Sequence, residues 1–128
     1  MTPLMQKYLH IPGKQHGDCW RTCIASILEC DVDIFPYHNG DISWADEYSE
    51  VVRILESMGW DYVSLTTQAT PQMLKSPHTD GYVIAIGQSP RGVGHSVIWK
   101  NGMVHDPHPD NRGLIDITRF EVLIKTEE

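Results

Sequence analysis

The 128-residue sequence contains no run of apolar residues long enough to cross a bilayer as a helix, so a membrane-spanning role is not expected. It has no cluster of basic residues either. Ten Lys and Arg are scattered among 17 Asp and Glu, and the formal charge of −7 gives nucleic acid no surface to bind. Cysteine is scarce: the chain has three, two of them four positions apart, which is no framework for a disulfide-stapled secreted domain. The first residues, Met1-Thr2-Pro3-Leu4-Met5-Gln6-Lys7, lack the charged-then-apolar order of a signal peptide. These absences together lead to the expectation of a reducing, cytoplasmic setting. Internal repeats and low-complexity stretches are also missing. What remains is an ordinary globular composition, 41% hydrophobic, of a length that suits one domain over residues 1–128 with a real core.

The most informative stretch is Gly17-Asp18-Cys19-Trp20-Arg21-Thr22-Cys23-Ile24-Ala25-Ser26-Ile27-Leu28. Apolar residues at 20, 23, 24, 27 and 28 follow helical spacing, so a helix is expected from Asp18 to about Glu29-Cys30. Asp18 is suited to cap it with its carboxylate. Cys19 then falls in the first turn, where free N–H groups and the positive end of the helix dipole favour thiolate over thiol. A cysteine so placed is a nucleophile in waiting.

The remaining pattern predicts helices first and an antiparallel sheet second, an α+β order. Residues 3–9 suggest a short edge strand. Ser43 is a cap for a second helix whose Trp44, Tyr48, Val51, Val52, Leu55 and Met58 form one buried face, ended by Gly59. Trp60 to Thr66 alternates as a strand, and Pro71 to Lys75 suggests one helical turn. Gly81 to Gly87 is a continuous apolar run of the kind covered on both faces. A Gly/Pro loop leads to a strand from His95 to Lys100, then the hairpin turn Asn101-Gly102, then a strand from Met103 to Asp106. Leu114–Ile117 and Arg119–Ile124 are expected as closing strands.

Acyl transfer by a thiol needs an imidazole to shuttle its proton and a group to fix the imidazole tautomer. Of seven histidines, His95 opens a strand directly after the Gly/Pro loop. With Asn101-Gly102 at the centre of a two-residue turn, Lys100 faces Met103, Trp99 faces Val104, Ile98 faces His105 and Val97 faces Asp106. Asp106 then lies diagonal to His95 on one sheet face, within reach of its second nitrogen.

Gly17-Asp18-Cys19-Trp20, His95-Ser96-Val97-Ile98 and His105-Asp106-Pro107, in this order, resemble the papain-like cysteine peptidases. The likeness is greatest to the compact branch that includes the leader-cleaving peptidase domains of bacteriocin exporters. The pattern is also similar to small proteins of phage and bacterial genomes. The resemblance spans roughly residues 13–110 and implies a papain-like fold, with the nucleophile helix packed on an antiparallel sheet. It further implies a Cys19–His95–Asp106 triad, a peptide or protein amide substrate and no cofactor. In that family a Gln six residues before the Cys donates to the oxyanion. Position 13 here is Gly, and Gln15 is the nearest substitute. The exporter's membrane segments are not in this chain, so leader cleavage does not transfer with the fold.

Other readings stand beside this one. Cys23 and Cys30 suit core packing. Arg91, in the loop before His95, is either a plain solvated residue or a binder of a substrate carboxylate or phosphate. Trp20 and Trp99 suit packing better than substrate stacking, although Trp20 is also a substrate-binding candidate. Cys19 and Cys23, at i and i+4, could instead hold zinc with His10, His16, His105 or His108. A papain-like fold without activity, acting as a module that binds a protein partner, is the remaining class.

Overall fold

The structure, a computed structural model, describes residues 1–68, 73–74 and 77–126. Two helices, α1 (Cys19–Leu28) and α2 (Trp44–Ser57), precede five strands. The strands are β1 (Trp60–Thr66), β2 (Val83–Gln88), β3 (Gly94–Trp99), β4 (Met103–His105) and β5 (Asp116–Lys125). They form one sheet in the order β1-β5-β2-β3-β4, every neighbouring pair antiparallel. The expected α+β order is therefore present. No helix among the described residues is long and apolar enough to cross a membrane.

The apolar run before Gly87 is the middle strand, and both of its faces are buried. Ile84 faces a core with Trp20, Cys23, Ile24, Ile27, Leu55, Ile98 and Leu123, which packs the helices onto the sheet. Val83 and Ala85 face a second cluster with Val97, Phe120 and Val122. Such two-sided burial is why this strand carries no polar alternation.

Helix α2 forms as its caps dictate. Ser43 Oγ accepts from the Asp46 N–H at 3.1 Å, Asp46 and Glu47 occupy the first turn, and Gly59 follows the last turn with φ +88°. Its buried face is narrower than the periodicity suggests. Val51 and Leu55 are buried, whereas Trp44 and Met58, at the two ends, are exposed.

Three local expectations need correction. Residues 3–9 form no strand; they are tied to Ser26 near the end of α1, and to His105 of β4 and Pro107 just beyond it. Helix α1 stops at Leu28, because Glu29 takes the left-handed conformation. The two expected closing strands are one, β5, with Thr118 bulged out between Arg119 opposite Ile86 and Ile117 opposite Gly87. The suggested turn over 71–75 falls mostly outside the described residues.

The hairpin departs from its expected form twice, and the departures cancel. Its loop takes three residues, since Trp99 pairs with Met103, and Val104 then has no opposite residue. Ile98 still pairs with His105 as expected. Asp106 therefore arrives beside the start of β3 after all.

Gly87, paired with His95, fixes the distance between β2 and β5 at the end of the sheet that carries His95. A Cβ here would lie 2.0 Å from the Asp116 carbonyl oxygen, a backbone atom that cannot swing away. Gly87→Ala is expected to destabilise the fold by roughly 1–3 kcal/mol through overpacking. Urea unfolding of the two proteins checks this, and an unchanged midpoint would refute the close approach.

Candidate functional site

Cys19 begins α1, and Asp18 is the residue before it. Asp18 does not cap the helix with its side chain. Its Oδ1 accepts instead from the Tyr8 N–H at 3.0 Å, and its Oδ2 from Arg21 Nε at 3.0 Å, with both charged groups buried. Arg21 Nη1 then donates to the Phe35 carbonyl at 2.8 Å. A buried ion pair satisfied in this way anchors the helix start to two separate segments rather than merely ending it. The first-turn N–H groups of α1 have no intrahelical acceptor, and that of Trp20 bonds the Cys19 thiol.

Two cavities meet at Cys19. One, of about 410 Å³, runs toward Trp44, Ile42, Glu47, Ile86 and Arg119. The other, of about 270 Å³, runs toward Gln6, His10, Arg91 and His108. Both are lined by Cys19 and by His95.

His95 Nε2 lies 2.7 Å from Asp106 Oδ1, with His95 4% and Asp106 2% exposed. Asp106 also accepts from the His108 N–H at 2.9 Å and the Gly113 N–H at 2.8 Å. Burial alone would raise the Asp106 pKa. The His95 hydrogen bond and the two backbone donors outweigh it and hold the carboxyl below its ordinary range. An ionised Asp106 can only accept, so the proton sits on Nε2 and leaves Nδ1 of a neutral His95 with its lone pair. Burial lowers the His95 pKa despite Asp106, so the neutral ring prevails at neutral pH.

Cys19 departs from the thiolate expected for a first-turn position. Burial pushes its pKa above the ordinary cysteine value, and the Asp18 charge pushes in the same direction. The backbone N–H and hydroxyl of Ser96 pull it part of the way back. The resting site is thus a neutral thiol with a neutral imidazole rather than an ion pair.

The other singled-out residues separate clearly. Gln15 lies away from Cys19: its Nε2 donates to the Leu9 carbonyl at 2.7 Å, and it lines neither cavity at the thiol. The carboxamide that does line one is Gln6, whose Nε2 donates one N–H to the Tyr8 carbonyl at 2.9 Å and keeps a second, while its Oε1 is buried and unpartnered among the described residues. Trp20 lines the larger cavity, but it is buried and committed, its Nε1 donating to Glu121 Oε1 and lying 2.8 Å from the Tyr62 hydroxyl. The tryptophan left open to that cavity is Trp44, 49% exposed. Arg91 lines the smaller cavity and pairs with Asp110, which does not line it.

Cys23 is fully buried in the core and Cys30 half-buried at its edge. No group of three or more His, Cys, Asp or Glu among the described residues is arranged to hold a metal ion. His105 Nε2 lies 2.7 Å from the Leu4 carbonyl. As site residues Gln6 and Ser96 escaped the sequence reading, and Trp44 was assigned to the buried face of the second helix. Only Ser96 had a signal there, as the neighbour of His95.

Comparison of the chain with protein-family models, with curated proteins and with solved structures gives no match.

Two outcomes follow from this electrostatic arrangement. Ser96→Ala removes one of the groups favouring the thiolate, so the pH midpoint for alkylation of Cys19 by iodoacetamide should move upward; a midpoint that falls would contradict the contact. Asp106 and His95 both have folded pKa values below their unfolded ones, so each contributes stability above its unfolded pKa that is lost as pH falls through the folded value. Asp106→Asn should therefore flatten the acid side of the stability–pH curve, measured by urea unfolding at successive pH values.

Proposed function

We propose that the protein is a thiol hydrolase of papain-like fold, cleaving an amide or related acyl bond through a Cys19–His95–Asp106 triad. The observation that carries this is the buried 2.7 Å contact between His95 Nε2 and Asp106, made by a histidine that shares both cavities with Cys19. The order of the three residues along the chain and the nucleophile's place at a helix start support the same reading.

The chemistry is balanced by these groups. His95 Nδ1 takes the thiol proton as Cys19 Sγ bonds to the substrate carbonyl carbon. The oxyanion is met by the Cys19 backbone N–H at the start of α1 and by the Gln6 N–H not given to Tyr8, which takes the place expected of Gln15. His95 returns the proton to the leaving nitrogen as the carbon–nitrogen bond breaks, and a thioester remains on Cys19. Water then adds to the thioester carbon, giving one proton to Nδ1; the carbon–sulfur bond breaks, Nδ1 returns the proton to Cys19 Sγ, and the acid leaves. Asp106 stays ionised throughout and stabilises the imidazolium between steps.

One observation favours a second reading, a binding module without activity: the Cys19 thiol is pushed up rather than down. Labelling with an electrophilic acyl probe separates the two. The hydrolase reading expects wild-type protein to be labelled at Cys19, Cys23→Ala to label normally and Cys19→Ala not at all. His95→Ala should label slower by about 100-fold or more, the usual worth of a general base. An unlabelled wild type selects the binding module, and labelling lost in Cys23→Ala but kept in Cys19→Ala overturns the site. Gln6→Ala should lower kcat by roughly 10- to 100-fold with KM little changed, as loss of an oxyanion donor does.

A further inference from the structure

The two cavities that meet at Cys19 differ in chemistry. In the larger one Trp44 stands half-exposed at the first position of α2, its ring edge-on to buried Trp20 at 4.8 Å between centroids. A half-exposed indole braced by a buried one is a rigid apolar platform, and Ile42 and Ile86 extend it. Glu47 lines the same cavity, and burial raises its pKa above the ordinary glutamate value. The two guanidiniums that also line it, Arg21 and Arg119, are taken up by buried Asp18 and Glu121, so a ligand carboxylate finds no fixed cation with a free charge in this arm.

The smaller cavity has the opposite character. Among the described residues no Asp or Glu lines it; its polar lining is Gln6, Arg91 and imidazoles, including His10 and His108. Arg91 Nη1 is held by Asp110, leaving Nε and Nη2 without an acceptor among the described residues. Asp110 also binds Arg112, so the trio keeps one net positive charge. A fixed guanidinium with free donors, in a lining that holds imidazoles and no carboxylate among the described residues, matches a ligand carboxylate.

We infer that the cleft takes a peptide whose scissile bond lies between a large apolar or aromatic residue, seated on Trp44, and a unit carrying a carboxylate, held by Arg91. This rests on the hydrolase reading for the word scissile, but the two-armed recognition itself does not depend on turnover. The carboxylate is either an acidic side chain or a free C-terminus, since both present the same group.

Cys19→Ala protein, which can bind without cleaving, allows recognition to be measured by calorimetry. The ligands are acetylated peptide amides with Phe or Ala on one side of a central Gly-Gly and Asp or Asn on the other, synthesised in both orders. A further peptide carries Phe, Gly-Gly and Ala with a free C-terminal carboxylate. In one order the Phe/Asp peptide should bind about tenfold tighter than either the Ala/Asp or the Phe/Asn peptide, the usual scale for losing one anchoring contact. The Asp-over-Asn preference should vanish in Cys19→Ala/Arg91→Gln, and the Phe-over-Ala preference in Cys19→Ala/Trp44→Ala. Tight binding of the free acid assigns the carboxylate to a substrate terminus, and weak binding assigns it to a side chain. Equal affinities across the series, preferences that survive both variants, or no saturable binding at millimolar peptide would overturn the inference. Binding as expected by Cys19→Ala with no cleavage by the wild-type protein would overturn the hydrolase reading alone.

Discussion

The carboxylate of Glu121 is 1% exposed, and the arrangement of helix on sheet depends on satisfying it. An ionised carboxyl so deep costs several kcal/mol in lost hydration unless donors surround it. Trp20 Nε1 donates at 2.9 Å, Ser64 Oγ at 3.0 Å and Arg119 Nε at 3.3 Å, and the Tyr62 hydroxyl closes on the same group. These donors come from α1, β1 and β5. Apolar packing between α1 and the sheet tolerates sliding, but a buried charge with directional donors does not. Trp20 is the residue after Cys19, so the constraint that fixes its indole also fixes the helix turn carrying the thiol.

A second set of bonds holds that turn from the other side. The N-terminal segment donates from the Thr2 N–H to the Ser26 carbonyl, from the Leu4 N–H to Ser26 Oγ and from the Gln6 N–H to the Pro107 carbonyl. His105 meets the Leu4 carbonyl, and the Tyr8 N–H reaches Asp18. One extended strap thereby joins the start of α1 to the chain beside Asp106. It also delivers Gln6 to the cavity at Cys19. Twelve residues separate Gln6 from Cys19 in sequence, and the loop of residues 10–17, closed by the Ile11–Gln15 bridge, folds out between them.

These long-range bonds explain what the sequence could and could not disclose. Helix α2 was legible because Ser43, Asp46, Glu47 and Gly59 act on backbone groups within a few positions of themselves. The central strand was legible from its unbroken apolar run. Asp106 was legible at the right place for a partly wrong reason, since the longer hairpin loop and the Val104 bulge offset one another. Gln6 and Trp44 were not legible, because nothing local distinguishes a glutamine in a strap or a tryptophan at a helix start from its solvated counterpart. The acidity of Cys19 was misjudged for a related reason. Position in a helix is written in the sequence, but the burial around a side chain is not, and here burial is the larger effect.

That reversal bears on how the site would work. A cysteine–histidine pair resting as ions needs an environment that rewards separated charge, and this one penalises it at both members. The Asp106 carboxylate, held ionised by three N–H donors, rewards positive charge on His95 only once the ring takes a proton. The Ser96 N–H and hydroxyl reward negative charge on sulfur in the same way. Both stabilising elements therefore act on the transferred state rather than the resting one, which is where a catalyst gains from them. A substrate filling both arms would displace water from around the pair and strengthen each of these interactions further. A weakly nucleophilic resting thiol is, on this account, compatible with an active enzyme: the charge separation is deferred to the moment when the carbonyl is in place.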